Sequence, residues 1–138
     1  DVKKVARMFV KDLKIKKVIV PTILISGGET TVKIKGEGKG GRNQEFALHF
    51  NYYVQKYLPH LKYTLLSAGT DGRDGPTNAA GAIIDQNFYN KFTKKGIDID
   101  KEINNNNSYF VLKETKSLVI IKGTNTNVAD IQLLAILG

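Results

Sequence analysis

The sequence predicts an α/β domain, a three-layer α/β/α arrangement around a mixed β-sheet. Short apolar runs of strand length stand at residues 23–25, 63–66, 79–85 and 118–121, with helical apolar spacing between them. Polar loops at 26–31, 70–78 and 123–130 each follow one of these apolar runs, and α/β sheets bind ligands outside the carboxyl ends of their strands. The 138 residues suit a single domain with its own core, spanning 1–138.

Val2, Val5, Ala6, Phe9, Val10 and Leu13 recur at helical spacing with lysines between them, which predicts an amphipathic helix lying on the sheet. Pro21 breaks the chain before the first short strand. Val32 and Ile34 alternate with Lys33 and Lys35, the pattern of a half-buried strand, and Gly27-Gly28 can serve as a hairpin turn before it. Phe46, Phe50, Tyr53 and Tyr57 mark one face of a second helix. His49 is expected on that helix as a partly exposed residue, and His60 in the loop that ends it. Residues 86–95 read as a helix packed through Phe88 and Phe92 and stopped by Gly96. Asp98 can cap a further turn, and Ser108 has the look of an N-cap. The asparagine run 104–107 reads as a surface loop without chemistry. Residues 131–137 close the chain as a last strand.

Two stretches carry most of the chemistry. Residues 67–81, SAGTDGRDGPTNAAG, spend about a dozen polar or glycyl positions where a plain turn needs about four. Asp71 and Asp74 lie three apart in it, beside Thr70, Arg73, Thr77 and Asn78. Paired carboxylates on a strand-end loop can hold Mg²⁺ through waters. Residues 36–45, GEGKGGRNQE, run from glycines into a helix N-terminus, where unpaired N–H groups and the dipole favour anions. Lys39 and Arg42 add charge there, and arginine adds a planar fork for phosphate or carboxylate. Neither a Walker A sequence nor a dinucleotide fingerprint is present. Glu29, in the loop after the first strand, brings a further carboxylate. The hydroxyls and amides of 123–130, GTNTNVAD, Thr124 and Asn125 among them, suit a phosphate or sugar edge.

A formal charge of +8 asks for an acidic partner, yet the basic residues are scattered as on a solvated surface. No apolar run approaches the ~20 residues of a membrane span. Without cysteine there is neither a disulfide framework nor a thiolate site, a composition that fits the cytoplasm. The chain opens on Asp1 and runs straight into a helix, which gives the expectation of a longer polypeptide.

With these loops read, the chain resembles the C-terminal, or MOFRL, domain of the class II glycerate kinases. The matching residues are 26–31 (SGGETT), 38–45 (GKGGRNQE), 68–81 (AGTDGRDGPTNAAG) and 123–130 (GTNTNVAD), with Asn107-Ser108-Tyr109 as a shorter piece. The resemblance spans nearly the whole chain. It implies one half of a two-domain kinase whose N-terminal Rossmann-like domain is absent here, with the active site in the cleft between the halves. It further implies ATP and glycerate as substrates, transfer of the γ-phosphoryl group to give 2-phosphoglycerate, and Mg²⁺ or a related divalent ion. In this sequence Asn78 stands where many relatives have aspartate, and Ala129 departs from the last motif.

On that resemblance Arg42 is expected to clamp a phosphate or the glycerate carboxylate. Gly38, Gly40 and Gly41 are expected to give it backbone N–H groups. Asp71 and Asp74 would hold the metal, or one of them would act as the base. Glu29, Lys39, Thr70, Thr77, Asn78, Thr124 and Asn125 complete the expected substrate and phosphate contacts. The isolated chain is expected to be inactive, and self-association is left open. Two other classes are compatible with the sequence: a hydroxypyruvate reductase, the older label of some relatives, and a basic module binding nucleic acid or a regulatory anion. Neither a nucleic acid nor a membrane is the expected partner.

Overall fold

The computed structural model describes residues 1–138. Five strands form one sheet in the order β1-β5-β2-β3-β4: β1 (Thr22–Gly28), β2 (Tyr63–Gly69), β3 (Gly81–Asp85), β4 (Leu118–Val119) and β5 (Asp130–Ile136). Every neighbouring pair is antiparallel, so the sheet is not mixed as the alternation of strands and helices suggested. The reason lies in β5. Strands β1 and β2 run the same way, joined through helix α2 (Arg42–Tyr57) as in a parallel unit. The last strand inserts between them and pairs with both.

The helices are α1 (Val2–Ile15), α2, α3 (Phe88–Lys94), α4 (Ile99–Asn104) and α5 (Ser108–Glu114). Helix α1 packs on α2 rather than on the sheet. Phe9 meets Phe46 and Phe50 edge-on at 6.3 and 6.1 Å. Helix α2 in turn lies on β2 and β3, so Phe46, Leu48, Phe50 and Val54 are all buried. The core takes one face of the sheet, through Leu65, Ile84, Leu134 and the partly buried Leu24. Ile23, Ile25 and Ile83 point to the other face and are exposed. The α/β class holds, but this chain supplies only two of the three expected layers.

Local differences have local causes. Residues 32–35 form no strand, because β1 takes its partner from β5 and continues through Gly28. Asp98 does cap α4, accepting from the Lys101 N–H at 3.2 Å. Ser108 is the first residue of α5 rather than its cap. His49 is buried beside Glu45, with Nε2 3.6 Å from the carboxylate. No helix is long and apolar enough to cross a membrane.

Candidate functional site

The register brings the sequence-predicted loops together at one end of the sheet. Gly28, Asp130 and Gly69 are cross-strand neighbours on β1, β5 and β2. The loop after β1, the loop after β2 and the loop before β5 therefore meet there. The N-terminus of α2 is held at the same end by side chains far away in sequence.

Asp74 does the holding. Its Oδ1 accepts from the Asn43 N–H at 3.0 Å, and its Oδ2 accepts from the Gln44 N–H at 2.9 Å. The Asn43 side chain donates to Oδ1 as well, and the Gln44 side chain donates to the Asp74 carbonyl. Asp74 is thus a buried cap for α2 supplied from outside the helix. Burial pushes its carboxyl above the ordinary carboxylate range, while the N–H groups of Asn43 and Gln44 pull it back down. Side chains at Gly41 or Gly75 would collide with this junction. A Cβ on Gly41 would meet the Asp74 carboxyl group, and one on Gly75 the Gly40 carbonyl. Gly75 also has a φ of +59°.

This corrects the expectation that Asp71 and Asp74 share a metal ion, or that Asp74 acts as a base. Both oxygens of Asp74 are committed to the N–H groups of α2. Asp71 does fit as a single carboxylate ligand. It is half-buried, with one oxygen accepting from the Arg73 N–H at 3.0 Å and no hydrogen-bond donor on the other. It faces a hollow of 320 Å³ shared with Arg73, Gly123, Asn125, Thr126 and Asn127.

Arg42 stands at the junction of all these elements. Its Nε and Nη2 donate to the two oxygens of Asp130 at 2.6 and 2.9 Å. Nη1 lies 3.1 Å from Glu29. The fork expected to meet a ligand from outside is therefore filled from within by Asp130, whose side chain is only 2% exposed. That hydrogen-bonded carboxylate holds the guanidinium above its ordinary range. Glu29 is largely exposed on its side of the guanidinium. Asp130 closes the 123–130 motif, but its pairing with a residue 88 positions away left no local signal.

The glycine-rich loop is held by the asparagine run. Asn106 Oδ1 accepts from the N–H groups of Lys35 and Gly36 at 2.6 and 3.1 Å. Asn105 and Asn107 side chains accept from Glu37 and Lys39, and the Asn105 carbonyl accepts from Gly38. Asn106 also donates to the buried Glu45 at 2.8 Å, which fastens the loop to α2. The N–H of Gly38 is consequently spent, a further correction. Those of Gly40, Gly41 and Arg42 have no protein acceptor. Beside them opens a cleft of 460 Å³ lined in part by Thr30, Thr31, Gly40, Gly41, Arg42 and Pro76. Ser108 Oγ, buried and without a partner, lies against Gly40.

The remaining predicted residues divide between frame and rim. Thr77 Oγ1 donates to the Asp74 carbonyl at 2.7 Å and accepts from Gln44, so it braces the loop. Thr70 Oγ1 donates to the Ala129 carbonyl and accepts from Val128, and Thr124 bonds the Thr70 carbonyl. These two threonines stitch the β2 and β5 loops together. Asn125 sits exposed at the tip with a φ of +57°. Asn78 accepts from the Tyr109 hydroxyl at 2.8 Å, and Lys39 lies over the Tyr109 ring at 4.9 Å. Beneath the site a polar chain crosses the sheet on its covered face. Ser26 donates to Gln132, Gln132 to Ser67 and Ser67 to Asn43.

An antiparallel sheet with helices on one face, and polar loops gathered at one end around a capped helix N-terminus, defines an α/β domain. Comparison with known proteins gives the family. Residues 22–130 match the MOFRL family, and the chain belongs to it. It is 45% identical over 112 residues to the glycerate 2-kinase of Pyrococcus horikoshii, covering 80% of this chain and 24% of that protein. With the D-glycerate 2-kinase of Thermotoga maritima it shares 45% over 121 residues, covering 88% and 28%. The crystal structure of a Thermotoga maritima glycerate kinase superposes on 99% of this chain and 34% of its own, with a TM-score of 0.88 at 39% identity. The chain thus spans about a quarter of the length of these curated relatives.

Proposed function

We propose that this chain forms one wall of the active-site cleft of an ATP-dependent glycerate kinase, completed by an N-terminal domain of the same polypeptide. The observation that carries the reading is the corner at Gly40, Gly41 and Arg42. Three backbone N–H groups without protein acceptors stand at the N-terminus of a 16-residue helix, beside a fixed guanidinium and an open cleft. Its support from the family is that the relatives matched over most of this chain are named glycerate kinases.

Phosphoryl transfer is mostly positioning and charge neutralisation. In this reading the corner takes an anionic oxygen of the substrate pair, either the glycerate carboxylate or a phosphate of ATP. Asp130 holds Arg42 in place, and the substrate anion replaces Glu29 at Nη1. Asp71, with its free oxygen, would bind Mg²⁺ through waters, and the ion when bound supplies neutralising charge on the phosphates. The glycerate hydroxyl oxygen bonds to the γ-phosphorus as the bond from that phosphorus to the bridging oxygen breaks. ADP leaves, the hydroxyl proton is released, and 2-phosphoglycerate is the product. Asp74 takes no part beyond capping α2.

The test is a steady-state assay of the full-length polypeptide with ATP, MgCl₂ and D-glycerate, coupled to ADP detection. Glycerate-dependent ADP formation is expected from the full-length protein and none from this chain alone. A full-length protein that leaves ATP intact in the presence of glycerate would overturn the assignment.

A further inference from the structure

The open face of the sheet is apolar along its centre. Ile25, Leu133, Leu66 and Ile83 align in one row across β1, β5, β2 and β3. Ala135 lies beside Ile23 in the row on one side, and Ile131 beside Ala68 in the row on the other. Ile23 and Ile25 are 66% and 72% exposed, and Ile83 is 47% exposed. On the opposite face Leu24, Leu134, Leu65 and Ile84 form the equivalent row, which belongs to the core.

An antiparallel sheet with one face in water alternates apolar and polar residues. Here the alternation is missing: Ile23-Leu24-Ile25, Leu65-Leu66, Ile83-Ile84 and Leu133-Leu134 are apolar on both faces. Such strands are built for cover on both sides, and a contiguous exposed apolar patch of this kind marks an interaction surface. The cover is not a local element displaced from this chain. The Thermotoga maritima structure matches 99% of the chain, and the match accounts for only 34% of its own length.

We propose that the rest of the polypeptide, the part of the relatives' length this chain lacks, packs apolar side chains on this face and supplies the third layer. A second copy is the weaker occupant, since it would bring another +8 of charge against this one. The proposal rests on family membership and on the length of the relatives, and is independent of the reaction catalysed.

This chain has no cysteine of its own, so each introduced thiol is the one that labels in it, and peptide mass spectrometry reads the same position in the full-length polypeptide. Ile25→Cys and Ile83→Cys are made singly in this chain and in the full-length polypeptide, with Lys94→Cys on an exposed position of α3 as control. Maleimide labelling at each position is followed by peptide mass spectrometry, and sedimentation velocity gives the oligomeric state of the short chain. Both test positions should label readily in the short, monomeric chain. In the full-length protein they should label slower by on the order of 100-fold, with Lys94→Cys unchanged. Equal labelling of Ile25→Cys and Ile83→Cys in the two proteins would overturn the proposal. So would slow labelling of a dimeric short chain, which assigns the face to a second copy. Neither readout depends on kinase activity.

Discussion

At one end of β2 the phenol of Tyr63 is fully buried and has one partner, the Asn51 side chain at 3.0 Å. At the other end, beyond Gly69, a buried carboxylate caps a helix, a second carboxylate holds an arginine, and three N–H groups at the helix start have no protein acceptor. Both ends bury polar groups. The Tyr63 end is neutral and closed, as expected of a structural contact. The Gly69 end carries more charge than capping or strand pairing requires, and keeps some of its donors open. That surplus separates a site from a well-packed end of a sheet, and single substitutions at the two ends should respond differently.

The largest effect is expected at Arg42. Arg42→Ala in the full-length protein should lower kcat/KM by at least ~100-fold, about 3 kcal/mol of transition-state stabilisation. It should also destabilise the fold by roughly 3 kcal/mol, because Asp130 is left buried and unpaired. Arg42→Lys should restore part of both losses, since it keeps the charge and loses the fork. Steady-state kinetics and urea unfolding separate the two components. Kinetics within a few-fold of wild type would make this end of the sheet as structural as the other.

Asp74→Ala comes next. It orphans two helix N–H groups and the Asn43 side chain, and should cost about 2–3 kcal/mol in urea unfolding of this chain. Asp71→Asn is the matched control: it keeps the turn-forming hydrogen bond and should change stability by less than about 0.5 kcal/mol. In the full-length protein Asp71→Asn should raise the Mg²⁺ concentration needed for half-maximal rate. Equal stabilities for the two variants would erase the distinction drawn between these aspartates.

At the Tyr63 end the expected effect depends on pH. Burial pushes the phenol up to about 12. Because the folded value is raised, the neutral phenol's contribution is fully present below the ordinary value near 10. It is then lost as pH rises toward 12. Tyr63→Phe should cost about 1 kcal/mol at neutral pH through the lost Asn51 bond. Between pH 10 and 12 the gap should close and then reverse, by about 2 kcal/mol in all. A gap that stays constant across that range, measured by urea unfolding, would show the phenol to be solvated.

Much of this was legible in the sequence because it is local. Apolar runs gave the strands, glycines running into Arg42 gave the start of α2, and the polar loops gave the end of the sheet where they meet. What could not be read was which polar side chain spends its hydrogen bonds inside the fold. Asp71 and Asp74 look alike in an Asp-Gly pattern, and only the approach of α2, about 30 positions away, makes one of them a cap. The asparagine run looks like a solvated loop until the glycine-rich loop, about 70 positions away, is laid against it. The antiparallel sheet was hidden for a similar reason: β1, α2 and β2 read as a parallel unit, and nothing local says that β5 will insert between them. The third layer was expected from strands alternating with helices, and this chain supplies only two layers because its core covers a single face of the sheet.

The open helix N-terminus is the centre of the account, and an amide titration tests it most directly. Inorganic phosphate is added to the ¹⁵N-labelled chain while every backbone resonance is followed. The resonances of Gly40, Gly41 and Arg42 should shift together and saturate, because their N–H groups have no protein acceptor. Those of Gly38 and Lys39, held by Asn105 and Asn107, should move far less. Small unsaturable shifts spread over the lysine surface, with no distinct response at Gly40, Gly41 and Arg42, would contradict it.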